Sequence, residues 1–188
     1  MCSSDLRIYP TVIIRGTELE RLWKEGIYRE HTVRDAVTLC AGIVPMFEEA
    51  GIPVIRLGLN PTEDLSGGEA VAGAYHPAFG ELVYSEIMFR RVSEMLRSAP
   101  ERSDILIAVP AGKMSIMIGQ RRGNITRLQD AFSAASVRVV PSGADTVSVR
   151  WSAGTASAAD LDRTKPNNKR IDPGMGSPTG YREDTTCT

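Results

Sequence analysis

Three β-branched residues in a row, Val12-Ile13-Ile14, form a dense apolar run near the start of the chain. A strand apolar on both faces is expected where helices cover both sides of a parallel sheet. Pro10 cannot donate a ladder hydrogen bond and fits near the strand's start. Gly16 permits a turn, Thr17 can cap, and Glu18 to Gly26 carries a short helical pattern. Thr32 with Asp35 three residues on is a capping pattern. Behind it, Val33, Ala36, Val37, Cys40, Val44 and Phe47 recur at three- and four-residue steps. This predicts an amphipathic helix to about Ala50. Pro45 lies inside it, and an interior proline costs about 3 kcal/mol, so a kink or break is expected there. Ile52 to Leu59 is a second buried strand, which makes a βαβ unit. Asn60 to Gly73 is polar and glycine-rich and predicts an exposed loop. His76-Pro77 opens a long helix with the apolar stripe Phe79, Leu82, Val83, Ile87, Val92, Met95 and Leu96. Arg90, Arg91 and Arg97 fall towards its end, where the helix dipole favours cations.

A second unit follows a linker, Pro100 to Ser103. Strand Ile105 to Val109 leads into a helical stretch from Ala111 that breaks near Gly119. A helix from Asn124 to Ser133 and a strand Val137 to Val140 come next. Thr146 to Trp151 is expected to pair back on that strand as a hairpin. Such a small β-α-α-β-β unit is near the lower limit for a self-standing core and should lean on the preceding helix. From Ser152 the composition turns to Ser, Ala, Thr, Gly, Pro and charge, so residues 152–188 are expected to be a disordered tail.

Composition narrows the classes. With 22 cationic and 23 anionic side chains the net charge is -1, which argues against wholesale nucleic-acid binding. No apolar run is long enough to span a bilayer, and the start lacks the basic and apolar parts of a secretory signal. The expected location is cytoplasmic, with no membrane contact. Cys2, Cys40 and Cys187 are far apart, and His31 and His76 are isolated, so no metal site is expected within the chain. Cys40 reads as a small core residue. His76 reads either as a helix-entry residue or as a proton-transfer or substrate group. No Ser or Cys nucleophile stands at a recognisable spacing from either histidine, and no catalytic residue is assigned. Residues 1–6 read as a scar or a flexible start.

The second unit holds the binding-type motif. Val109-Pro110, Ile118-Gly119-Gln120-Arg121-Arg122-Gly123-Asn124-Ile125 and Leu128 resemble the core of a KH-type RNA-binding module. In that family an Ile-Gly-x-x-Gly-x-x-Ile turn joins two helices and clamps about four nucleotides. Small residues let phosphates approach backbone N–H groups at a helix start. Here the second glycine falls one place late and Arg122 stands in its position, so Arg121 and Arg122 would hold phosphate by charge. Across residues 101–151 there are seven cations against four anions. The candidate nucleic-acid residues are Lys113, Gly119, Arg121 and Arg122. The competing reading is a solvated arginine surface on a structural appendage.

A second resemblance covers about half the chain. Arg7-Ile8-Tyr9-Pro10-Thr11-Val12-Ile13-Ile14-Arg15-Gly16-Thr17-Glu18-Leu19, Trp23-Lys24-Glu25-Gly26-Ile27-Tyr28, residues 50–59 and His76-Pro77-Ala78-Phe79-Gly80-Glu81-Leu82 carry it. They resemble the C-terminal part of radical SAM enzymes of the elongator-catalytic-subunit-like group. The resemblance implies an α/β fold: residues 7–99 as a βαβ remnant of a partial (β/α) barrel, followed by a small α+β KH-like unit over 104–151. It also implies a parent enzyme that cleaves S-adenosylmethionine at a [4Fe–4S] cluster, with tRNA or another RNA as a possible substrate. The cluster's cysteine-rich loop is absent, so neither cofactor is expected to bind this chain stably. The expected missing partner is an N-terminal barrel half, and the chain alone should be inactive. Ile14, Arg15 and Gly16 are carried over as possible cofactor neighbours. The alternative is an RNA-binding KH-like accessory module without catalysis.

Overall fold

Two short strands flank Pro10, which has no N–H to give a ladder. β1 (Leu6–Ile8) pairs parallel with β3 (Val54–Leu57). β2 (Val12–Ile14) pairs antiparallel with β4 (Ala70–Gly73). The computed structural model describes residues 5–60 and 68–153, all within one contact unit, Met1–Gly154. The mixed α/β class expected from the sequence is present.

Two expectations for this region need correction. Val12-Ile13-Ile14 is not a parallel strand buried on both faces: only Ile13 is buried, and its partner runs the opposite way. The parallel βαβ connection starts from Leu6–Ile8 instead. The predicted loop also ends early, because Ala70–Gly73 is a strand. Its alanines and glycine are poor strand formers, which hid it. Gly73 has φ +96°, and a Cβ there would lie 2.7 Å from the Thr11 carbonyl oxygen. The backbones approach too closely for any side chain. Of the predicted loop, residues 61–67 lie outside those described.

α1 (Glu18–Lys24) starts where Thr17 accepts a hydrogen bond from the Glu20 N–H. α2 (Val33–Glu49) starts with a complete capping box between Thr32 and Asp35. The predicted break at Pro45 does not occur; α2 is one helix through it. Its inner face buries Ala36, Cys40, Ala41 and Val44 against Phe79 and Val83 of α3 (Phe79–Met95). That packing outweighs the hydrogen bond to Ala41 that proline forfeits.

α3 continues into the second region. Val92 and Leu96, at its end, are buried with Ile105, Ile107 and Val109 of β5 (Ser103–Pro110). Burial alternates along β5 without a fault, the pattern of a strand with one face on a core. α4 (Met114–Ile118), a 3₁₀ turn (Gln120–Arg122) and α5 (Gly123–Phe132) lead to β6 (Ser136–Ser142). β6 pairs parallel with β5, and β7 (Ser148–Ala153) pairs antiparallel with β5 on the other side. The predicted hairpin between the last two strands is therefore corrected: β5 is the centre of the sheet. Pro141 lies in β6, and a strand lacking one ladder donor is suited to an edge. Ser152 and Ala153, predicted as the start of a disordered tail, complete β7; residues 154–188 of that prediction lie outside those described.

Candidate functional site

α3 and α5 meet through polar side chains at their crossing. Glu86 and Arg90 stand four residues apart on α3, and Arg90 Nε donates to Glu86 Oε1 at 2.9 Å. Arg127, on α5, donates through Nη1 to Glu86 Oε2 at 2.7 Å and to Asn124 Oδ1 at 3.3 Å. Its guanidinium carbon also lies 3.6 Å from the centroid of the Phe89 ring, a cation–π distance. Burial pushes the Glu86 carboxyl pKa up, but the hydrogen bonds and charges of Arg127 and Arg90 outweigh it. The net result lies below the ordinary value of 4.5.

Asn124, 4% exposed, is buried at the crossing together with Ser85, 7% exposed. Its Nδ2 donates to the Ser85 carbonyl oxygen at 3.0 Å and to Ser85 Oγ at 2.9 Å. Gly119 passes close against the same pair. A Cβ on it would stand 3.2 Å from both Asn124 Cγ and Ser85 Oγ, and its φ is +72°. Small size and left-handed backbone both select glycine there.

Beside this network lies a cavity of about 650 Å³, walled by α2, α3, the 3₁₀ turn and the start of α5. Arg34, Arg90 and Arg127 line it, with Glu86 as the only acidic lining residue among those described. Val37 and Leu82 give it an apolar side.

The predicted nucleic-acid residues fall on one connection. Lys113 is exposed at the N-cap of α4, and Gly119 ends that helix. Arg121 and Arg122 follow, both exposed and both left-handed, at φ 51° and 60°. Gly119 lines the cavity; Lys113, Arg121 and Arg122 do not.

Ile14, Arg15 and Gly16 lie apart from this group, at the end of β2. Since β2 is antiparallel to its partner, they do not occupy the carboxyl end of a parallel strand. Their backbone groups are already engaged. Arg15 N–H donates to the Glu69 carbonyl at 2.9 Å, and Gly16 N–H to Glu20 Oε2 at 2.7 Å. The Ile14 carbonyl accepts from Thr17 Oγ1 at 2.7 Å. Glu20 is held below its ordinary pKa first by Lys24 and then by the Gly16 N–H. A ligand here would find the Arg15 side chain rather than a cradle of amides.

His76 Nδ1 accepts from the Ala78 N–H at 3.1 Å, and the His76 carbonyl accepts from Phe79 at 3.1 Å. That is the helix-entry role. Cys40 is buried among Ala36, Ala41 and Val44, and burial pushes its thiol pKa up. A protonated thiol in an apolar core does not suit an iron–sulfur cluster, which needs several thiolates together. Cys2 and Cys187 lie outside the described residues, among which no group of three or more His, Cys, Asp or Glu side chains could hold a metal ion. No described helix is long and apolar enough to cross a membrane.

Arg34, Ser85, Glu86, Arg90, Asn124 and Arg127 were not singled out as a site by the sequence, although Arg90 was noted for its place on the helix. The Glu86–Arg90 spacing is readable on a predicted helix, and so is the three-residue step from Asn124 to Arg127. Their meeting depends on how α3 crosses α5, and no spacing along the chain encodes that.

Residues 4–88 match the family described as the Radical_SAM C-terminal domain. Elongator complex protein 3 of Mus musculus is 46% identical over 41 residues, covering 22% of this chain and 8% of that protein. The Homo sapiens protein gives the same values. That of Saccharomyces cerevisiae is 46% identical over 41 residues, covering 22% of this chain and 7% of its own. The match thus spans less than a tenth of the length of these curated relatives. No solved structure matches the chain.

Proposed function

We propose that this chain works as the C-terminal part of a radical SAM enzyme that modifies RNA, because residues 4–88 match the radical SAM C-terminal domain family and a 41-residue stretch is similar to Elongator complex protein 3. The family match carries the reading. The parallel pairing of β1 with β3, joined through β2, α1 and α2, supports it, because parallel neighbours connected through helices are what a (β/α) barrel is built from. In this reading the described residues close one side of a barrel. The S-adenosylmethionine and [4Fe–4S] chemistry belongs to a barrel half beyond them, because the described residues do not fit a cluster. The chain alone then cleaves no S-adenosylmethionine. Anaerobic reconstitution with iron and sulfide tests this: the expected product has no stoichiometric cluster absorbance in the visible band. A stable cluster on this chain would overturn the reading.

A second reading rests on the connection between α4 and α5. Arg121 and Arg122 are exposed side by side, with no ion-pair partner among the described residues. With Lys113 and Gly119 they form a KH-like turn that holds RNA phosphates by charge. Binding of tRNA to the chain should weaken in the Arg121→Ala/Arg122→Ala variant, and the slope of log affinity against log salt should fall by about 2. Equal affinities and equal slopes would remove this role.

A further inference from the structure

The cavity between α2, α3 and α5 shares Gly119 with the turn reading but none of its cations, and its chemistry is specific. We propose that it is a binding site for a single nucleotide, with the phosphate against Arg34, Arg90 and Arg127 and the base or sugar against Val37 and Leu82.

Size comes first. A volume of about 650 Å³ lies inside the range of roughly 300–1,000 Å³ typical of small-molecule sites. The wall then divides by chemistry. Val37 and Leu82 are half-buried apolar groups on neighbouring helices. Three guanidinium groups share the lining with one carboxylate, so the cavity keeps a cationic excess after Glu86 has been satisfied by both Arg90 and Arg127.

Arg34 carries the argument furthest. It is exposed on the first turn of α2, lines the cavity, and has no hydrogen-bond or ion-pair partner among the described residues. Arg90 and Arg127, by contrast, are held in place. Arg90 is fixed by Glu86 and by the Thr38 carbonyl at 3.0 Å. Arg127 is fixed by Glu86, Asn124 and the Phe89 ring. A guanidinium has five N–H donors in a rigid fork, so one that is already oriented can still offer donors to a phosphate. Two pre-set arginines and one free arginine around a partly apolar hollow suit an anion carried on a ring system better than a bare anion. Gln120, exposed on the 3₁₀ turn, adds an amide that can read a base edge or a ribose hydroxyl. The same chemistry fits a free nucleotide and one residue of an RNA chain. It stands apart from the turn reading, since Lys113, Arg121 and Arg122 do not line the cavity.

Titration of the full chain with AMP, UMP, adenosine, inorganic phosphate and a short single-stranded oligoribonucleotide tests the proposal. A nucleoside monophosphate, or the oligonucleotide, should bind, and Arg34→Gln should weaken that binding about tenfold. Gln120→Ala should weaken it less, while Arg121→Ala/Arg122→Ala should leave mononucleotide affinity unchanged. Both Arg34 and Gln120 are exposed, so an unchanged thermal transition separates lost binding from lost folding. Binding of monophosphate without oligonucleotide assigns a free nucleotide; the reverse assigns an RNA chain. Inorganic phosphate or adenosine binding as tightly as AMP overturns the proposal, because one half of the site would then be idle. So does the absence of binding by every probe, or affinity indifferent to Arg34→Gln.

Discussion

The regions before and after the end of α3 are built from similar apolar runs, yet they hold together differently. In the first, each sheet has two strands, and each ladder is three residue pairs long with a register irregularity. A two-stranded ribbon is marginal in water, so this region depends on the cluster between α2 and α3. In the second, β5 is paired on both sides, against β6 from Asp104 to Pro110 without a shift. Its core is the sheet's own inner face, covered by α4, α5 and the end of α3. One region is stabilised by helices that carry strands, the other by a sheet that carries helices. α3 serves both, giving Phe79 and Val83 to one cluster and Val92 and Leu96 to the other.

The sharpest way to break that comparison is to make the same deletion in both. Ile107 and Ile13 are each 0% exposed. Ile107 sits inside the larger cluster, whereas Ile13 belongs to neither. Removing a buried isoleucine side chain to alanine costs about 2–5 kcal/mol, and the spread depends on how far the site can collapse. Ile107→Ala should lie near the upper end and Ile13→Ala near the lower, in urea unfolding of the full chain. Equal costs would mean that β2 is as firmly embedded as β5.

Next in size is the polar tie between the regions. Asn124→Ala removes both hydrogen bonds to Ser85 at a buried position, and losing one partner of a buried pair costs about 1–3 kcal/mol. If α3 couples the regions, the variant should broaden the unfolding transition or split it when followed by two probes. A single sharp transition, shifted only in midpoint, would show that the apolar contacts of Val92 and Leu96 suffice.

Gly73→Ala acts on the weaker sheet alone. The left-handed backbone costs a non-glycine residue about 1–2 kcal/mol, and the new Cβ meets the Thr11 carbonyl at 2.7 Å. The loss should appear as faster amide exchange in β2 and β4, with β5 protection unchanged. Slowed or unaltered exchange in β2 would place the stability of the first region in its strands after all.

Local signals were legible where one residue and its near neighbours decide the outcome. Thr32 and Asp35 announce the start of α2, and both cap bonds are present. Ile105, Ile107 and Val109 alternate as a half-buried strand must. The break at Gly119 follows from the glycine itself. The illegible parts are choices between partners. Nothing in Val12-Ile13-Ile14 says that it pairs with the small residues Ala70 to Gly73, and its β-branched run fits a covered parallel strand equally well. Thr146 to Trp151 could have paired with either neighbour; the edge character of Pro141 was the available clue. The same limit explains the cavity. Arg34, Arg90 and Arg127 are unremarkable on three separate helices, and only tertiary packing makes them a group.

The smallest expected effect is electrostatic and tests the crossing of α3 and α5 through acid. The folded-state pKa of Glu86 is depressed, with burial opposing the arginines and the arginines prevailing. Its stabilising contribution is therefore complete above the ordinary value of 4.5 and is lost as pH falls below it through the folded pKa. Glu86→Gln removes the charge and keeps the shape, so stability plotted against pH should be flatter in the variant below about 4.5 and parallel to the wild type above it. Asp35 and Glu20 are depressed as well, by the Thr32 cap and by Lys24 respectively, and both remain in the variant. The acid slope should thus shrink rather than vanish. Salt distinguishes the sources: the Arg21–Glu18 pair, which also holds a carboxyl below its ordinary pKa, is exposed on both sides and is screened, while the Arg90–Glu86–Arg127 group, with its carboxylate only 14% exposed, responds less. If the difference between wild type and Glu86→Gln disappears in high salt, the crossing is solvated, and α3 joins the two regions through its apolar face alone.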